Sequence, residues 1–187
     1  MTARTRSVEA ANELQEALAS DHAFEAWYRR TLPRVYAYVL SRCGNDVSLA
    51  EELSQLTFVA AIDRRAQFDG RSDIVTWLCG IARHKLADHF RAMERDERRR
   101  MQLHVREIQA SEGAAQLANL DDRAAIADVL RSLPAAHRAV LAFVVLDGLP
   151  VADAGRLMGR SPGATQSLLH RARESFRRAY GGELGDD

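Results

Sequence analysis

Arg160, Gln166, Ser167, His170, Arg171 and Arg173 bring together the side-chain types that duplex DNA recognition uses. Arginine grips phosphate oxygens or guanine edges, glutamine pairs with adenine, and serine adapts to either. Just ahead of most of them, Ser161 can cap a helix and Pro162 can take its first position, so the helix start from Ser161 to Gly163 offers free amides to a phosphate. A solvated, arginine-rich helix end would use the same residues. The coincidence of a capped turn with a basic face favours DNA.

A second set lies mid-chain. His84, Asp88, Arg91 and Arg95 recur at helical spacing with Arg83 and Lys85 beside them, after a Gly70-Arg71-Ser72 loop able to approach a backbone or an unstacked base closely. A charged face alone usually means solvation, so both readings stay open on the residues themselves. His84 and Asp88 form an i,i+4 pair with no further ligand set, and a surface histidine is expected there rather than a metal site. The third set is acidic: Asp46, Glu51, Glu52 and Asp63 occupy residues 44–63 with no Lys or Arg among them. The whole chain is formally neutral, yet residues 83–106 carry a net +4 and residues 156–178 a net +5. One acidic and two basic surfaces suit a protein that touches both another protein and nucleic acid. Enzyme chemistry has little footing, since there is no phosphate-cradling Gly loop, no Gly-x-Ser-x-Gly elbow and no His-Glu-x-x-His. The expectation is a binding protein with no catalytic residues, metal or cofactor.

The elements that position these sets are expected to be helices, because helical punctuation is dense and no stretch alternates with a two-residue period. Asp21 can cap a helix carrying Phe24, Trp27 and Tyr28, and Pro33 suits the first turn of the next, with Val35, Tyr36, Val39 and Leu40, to make a hairpin ending at Gly44. Ser48-Leu-Ala-Glu51 reads as a capping box opening a helix through Leu53, Leu56, Phe58, Val59 and Ile62 that stops near Arg65. A loop from Phe68 to Asp73 leads to a long helix buried through Ile74, Trp77, Leu78, Ile81, Phe90 and Met93, capped by Ser72 or Asp73. Trp27, Trp77 and Phe58 read as core rather than as stacking platforms. Residues 101–119 weaken into small and polar types and read as a tether. Beyond it, helices start at Asp121 or Asp122 and at Pro134, a short helix spans 151–158, a turn follows at Gly159-Arg160-Ser161, and a last helix runs to about Ala179 with Thr165, Leu169, Ala172 and Phe176 packed down. Short helix, glycine turn, longer helix is the helix-turn-helix pattern.

These residues resemble a family. Ala50-Glu-Glu-Leu-Ser-Gln-Leu-Thr-Phe58, Phe68-Asp-Gly-Arg-Ser72, Thr76-Trp-Leu78, Ile81-Ala-Arg83 and Asp88-His-Phe-Arg91 look like the promoter-opening domain of bacterial extracytoplasmic-function sigma factors. Leu133-Pro134, Val140-Leu141, Asp147-Gly-Leu149 and Leu169-His-Arg-Ala-Arg173 look like that family's C-terminal promoter-binding domain. The resemblance implies an all-α chain of two small helical domains: an extension at 1–20, a domain at 21–100, a linker at 101–120 and a helix-turn-helix domain at 121–182. It implies a non-enzymatic initiation factor that binds core RNA polymerase, directs it to chosen promoters and assists melting. Glu51, Glu52 and Gln55 would dock on the clamp coiled coil of the largest subunit, with a further contact at the flap region. Phe68, Asp69, Gly70, Arg71, Ser72, Arg83, His84, Lys85, Asp88 and Arg91 would meet the minus-ten element, His84 and Asp88 at the selectivity positions. Arg160, Ser161, Pro162, Gly163, Gln166, Ser167, His170, Arg171 and Arg173 would meet the minus-thirty-five element. An anti-sigma factor is a further expected partner.

Four positions depart from the family pattern: Leu49 and Leu56 replace acids in the docking helix, and Gln166 and Leu168 stand where two cations are common. Leu168 is accordingly expected to face DNA or a partner, and phosphate binding to be weakened. Two rivals remain: a stand-alone helix-turn-helix regulator, which leaves the acidic helix without a task, and an adaptor that kept the fold and lost promoter function. With 47% apolar residues, no membrane-length apolar run and no signal-like N-terminus, the chain is expected to be globular and cytoplasmic, without membrane insertion. Cys43 and Cys79 read as buried thiols, and Val8, Ala11, Leu14 and Leu18 form an amphipathic stripe ahead of the matched region.

Overall fold

The computed structural model describes residues 14–104 and 122–183, and every regular element among them is helical. The all-α expectation holds. In chain order the helices are α1 (Asp21–Arg42), α2 (Val47–Asp63), α3 (Ile74–His104), α4 (Asp122–Ser132), α5 (Ala135–Leu141), α6 (Val151–Met158) and α7 (Pro162–Glu183). A 3₁₀ turn spans Arg65–Gln67 and a π-helical segment Ala142–Leu146. The chain divides into two compact units, Met1–Leu86 and Ala87–Asp187, and the division falls inside α3 rather than in the stretch read as a tether. Residues 105–121, most of that tether, lie outside the described residues.

In the first unit α1 is one helix, where the sequence reading expected two separated near Pro33. Trp27, Thr31, Val35 and Val39 are all buried, and their four-residue spacing continues one stripe straight past Pro33. An interior proline costs about 3 kcal/mol, while each large apolar side chain fully buried contributes about 1.5–3 kcal/mol. The stripe therefore outweighs the break. Pro33 itself is exposed, and the Thr31 hydroxyl donates to the Trp27 carbonyl at 2.8 Å. The cap is Ser20, whose hydroxyl accepts from the Ala23 amide at 3.2 Å, not Asp21.

α2 begins two residues before the expected capping box, because Asp46 takes an extended conformation and its carboxylate accepts from the Leu49 amide at 3.0 Å. Gly44 and Asn45 reach it from α1 in left-handed conformations, so the hairpin is made by α1 and α2. Its core is aromatic: the Phe58 ring meets Trp27 edge-on at 5.5 Å and Tyr28 at 4.7 Å. The core reading of Trp27 and Phe58 is thus correct.

In the second unit, α5, α6 and α7 pack around Val140, Phe143, Ala154, Met158, Leu169 and Ala172, all buried. The distal part of α3 belongs to the same unit. Phe90 meets Phe143 edge-on at 6.3 Å, and the Glu97 carboxylate accepts from the Ala135 amide at the start of α5 with both oxygens, at 3.0 and 3.2 Å. An anion at a helix N-terminus is favoured by the amides left free there.

The tight point of this unit is where α6 turns into α7. Gly159 takes the left-handed conformation that ends α6, and the Arg160 amide donates back to the Gly155 carbonyl at 2.8 Å. A Cβ on Gly155 would stand 2.7 Å from Thr165 Oγ1 and 2.9 Å from the Arg160 carbonyl oxygen, so only glycine allows the two helices to cross this closely. Gly155→Ala is expected to lower the unfolding free energy of the chain by about 1–3 kcal/mol, read by urea denaturation with circular dichroism. Gly80→Ala, whose Cβ meets nothing within 4 Å, should not destabilise it.

Candidate nucleic-acid and protein interfaces

α7 is buried along Thr165, Leu168, Leu169 and Ala172 and exposed along Gln166, Ser167, His170 and Arg171. Ser161 accepts from the Ala164 amide at 3.3 Å through its hydroxyl, and its carbonyl accepts from the Thr165 hydroxyl at 2.9 Å. The start of the helix is therefore held firmly, with Ser161, Pro162 and Gly163 exposed. His170 Nε2 stands 3.5 Å from the Glu174 carboxylate, and Arg171 Nε donates to the Ser167 carbonyl at 3.4 Å.

One expectation for this face changes, that for Leu168, and two of its cations have other neighbours. Leu168 is 4% exposed and part of the core, because Leu168 falls on the stripe that carries Thr165 and Ala172. Arg160 is only 22% exposed at its side chain, its guanidinium paired with Glu94 of α3. Arg173, though exposed, lines an apolar groove of about 380 Å³ with Ile126, Leu130, Leu141, Val145, Leu146, Phe176 and Arg177. That groove escaped the sequence reading. It arises where the helix after α5 widens to π geometry, with the Asp147 amide donating to the Ala142 carbonyl at 3.0 Å, and Val145 and Leu146 are left exposed.

In the loop before α3, Phe68 is 7% exposed, its ring centroid 5.0 Å from that of Trp77. It anchors the loop and does not present its ring to solvent. Asp69 accepts from the Arg71 amide at 3.0 Å and meets the Arg71 guanidinium at 3.3 Å, while Gly70 sits between them at φ +69°. Asp73 closes the loop by capping α3, accepting from the Val75 amide at 3.0 Å and the Thr76 amide at 3.3 Å. Asp69 and Arg71 remain exposed and Ser72 half-buried. Along α3, His84, Asp88 and Arg91 are exposed, Arg83 and Lys85 half-buried, and Arg91 is paired with Asp88.

α2 exposes Glu51, Glu52 and Gln55 opposite the buried Ala50, Leu53, Thr57 and Phe58. Among the acids, Leu56 is 41% and Val59 57% exposed. Their spacing carried the signal: residues 52, 56, 59 and 63 share one helical face, and its two ends are acidic. A dry apolar centre with a charged rim is how protein–protein contacts are usually built. Among the described residues no group of three His, Cys, Asp or Glu side chains could hold a metal ion, and no helix is long and apolar enough to cross a membrane.

Known proteins share this arrangement. Residues 27–96 match the family description Sigma-70 region 2, and residues 123–176 match Sigma-70, region 4. The chain is 32% identical over 178 residues, 94% of both chains, to the ECF RNA polymerase sigma factor SigC of Mycobacterium tuberculosis. The chain belongs to the extracytoplasmic-function sigma factors. It is 34% identical over 158 residues to the sigma factor BldN of Streptomyces coelicolor, covering 80% of this chain and 57% of that one. Its fold also resembles the sigma factor RpoE from Bartonella quintana, solved in complex with the anti-sigma factor NepR, with a TM-score of 0.51 and 23% identity over 88% of this chain and 98% of that one. As an alternative sigma factor, the chain binds core RNA polymerase and directs it to specific promoters.

One titratable group sits beside the helix-turn-helix. His137 of α5 has its ordinary value of 6.5 lowered, first by burial, then by the Arg171 charge, with Glu97 pulling the other way. Its Nδ1 is buried without a hydrogen-bond partner. A lowered folded-state value means that the unfolded chain takes up the proton first as pH falls. The His137 contribution to stability is therefore complete above pH 6.5 and lost below it. Chemical denaturation between pH 7.5 and 5.5 should show a loss of stability that His137→Gln reduces.

Proposed function

We propose that the promoter-directing work divides between the two ends of the chain, residues 21–100 binding polymerase and the minus-ten element and residues 121–182 binding the minus-thirty-five element. What carries the reading is that each proposed surface is the solvent-facing side of a helix whose other side is core: Glu51, Glu52 and Gln55 on α2, His84, Asp88 and Arg91 on α3, and Gln166, Ser167, His170 and Arg171 on α7. Polymerase docking uses the α2 face, with Leu56 and Val59 as the apolar centre and the acids steering approach to a basic clamp surface.

At the minus-ten element, Asp69 to Ser72 and the exposed face of α3 receive an unstacked non-template base, and the cations hold the strand backbone. α7 enters the major groove at the minus-thirty-five element from its Ser161 to Gly163 end, Gln166 and Arg171 reaching base edges or phosphates. Since Leu168 is core, it no longer argues for altered specificity there. The groove bordered by Arg173 and Arg177 suits an amphipathic helix with acidic flanks, offered by the polymerase flap region or by an anti-sigma factor competing for the same place. The chain works in the cytoplasm, without catalysis of its own.

Arg160 can reach DNA only by leaving Glu94, so Glu94→Gln is expected to raise affinity for a minus-thirty-five duplex, while Arg171→Ala lowers it and reduces the salt slope by about 1. Fluorescence anisotropy across a salt series reads both. Leu56→Asp should abolish binding to core polymerase with the melting temperature unchanged. Polymerase binding undiminished in Leu56→Asp would overturn the docking assignment.

A further inference from the structure

The minus-ten loop is held at both ends by the same kind of device, a side chain that fixes backbone. At the α3 end the device is the Asp73 cap, accepting two amides. At the other end it is Phe68, which follows the 3₁₀ turn directly and is only 7% exposed. Trp77 covers one part of that ring, with centroids 5.0 Å apart. Beside it lies a crevice bordered by a part of the chain that precedes the residues matched by Sigma-70 region 2.

A helical turn over residues 14–17 precedes α1, closed by the Leu18 amide donating to the Leu14 carbonyl at 3.1 Å. Leu14 is 2% and Ala17 4% exposed, so this turn is packed down as firmly as the core of α1 and α2. Leu14, Gln15 and Leu18 line a crevice of about 250 Å³ together with Arg65, Ala66 and Phe68. The family match begins only at residue 27.

We propose that Leu14 and Leu18 are positioning residues for the minus-ten loop, acting through Phe68. They form the wall of the crevice that faces Phe68, and in this way fix where Asp69 to Ser72 begin. Gly70, at φ +69°, gives the loop backbone freedom that few other residues have, so its position depends on how well its ends are fixed. An anchor lost at Phe68 would let the loop sample positions that no longer meet an unstacked base. The proposal rests on the assignment of this loop to the minus-ten element.

The test uses the full chain with Leu14→Ala, the half-buried Leu18→Ser as a second variant, Leu14→Met as the conservative rescue and the exposed Glu16→Ala as control. Amide hydrogen exchange in residues 69–72 of the free protein should quicken about three- to tenfold in Leu14→Ala and Leu18→Ser, and return towards wild type in Leu14→Met. With core polymerase on a promoter that the chain itself selects, permanganate-detected opening should fall in the same two variants. Opening on a template with a pre-melted minus-ten region, and affinity for core polymerase, should stay unchanged. Unchanged loop exchange in both Leu14→Ala and Leu18→Ser would overturn the positioning role. Faster exchange with normal promoter opening would instead overturn the minus-ten assignment of the loop.

Discussion

Burial along a single stripe of each helix is the constraint on which the rest of this structure depends. A helix with one apolar stripe must set it against another element, and its opposite side is then free to carry residues chosen for other reasons. α2 buries Ala50, Leu53, Thr57 and Phe58 and leaves Glu51, Glu52 and Gln55 outside. α7 buries Thr165, Leu168, Leu169 and Ala172 and leaves Gln166, Ser167, His170 and Arg171 outside. The exposed faces are fixed in direction because the buried faces are packed. A few exposed side chains on a fixed helix lose less freedom on binding than the same residues on a loop would.

Two places depart from this plan, and both lie where backbone has to turn. The loop from Asp69 to Ser72 has no helix to hold it and relies on Asp73 at one end and Phe68 at the other. The turn between α6 and α7 relies on Gly155, where Thr165 leaves no room for a side chain, and on the left-handed Gly159. In each case a small number of close contacts sets the direction of a surface many times larger. The distal part of α3 adds a different kind of contact in the second unit: Glu97 accepts from the Ala135 amide at the α5 start, and Glu94 pairs with Arg160. The pair at Arg160 holds this guanidinium against α3 and away from solvent.

Local chemistry was the part legible in the sequence. The αL glycine, serine cap and N1 proline at Gly159, Ser161 and Pro162 located the helix-turn-helix because each acts within one turn of helix. The α6 span and the core role of Trp27 and Phe58 followed from pattern in the same way. What escaped depends on partners distant in the chain. Pro33 reads as a break until the buried stripe from Trp27 to Val39 is seen to continue past it. Leu168 reads as a departure at a DNA position until α7 is packed, and Phe68 as a ligand residue until Trp77 packs on its ring. Neither the pairing of Arg160 with Glu94 nor the groove opened by the π-helical segment leaves a trace at short range.

The most direct measurement is transcription in vitro with purified core polymerase on sheared DNA from the source genome, with and without this chain, mapping RNA 5′ ends. The account predicts new start sites that share two spaced upstream elements and appear only when the chain is added. Core polymerase that fails to bind the chain, or that binds it and gains no start sites, would contradict it.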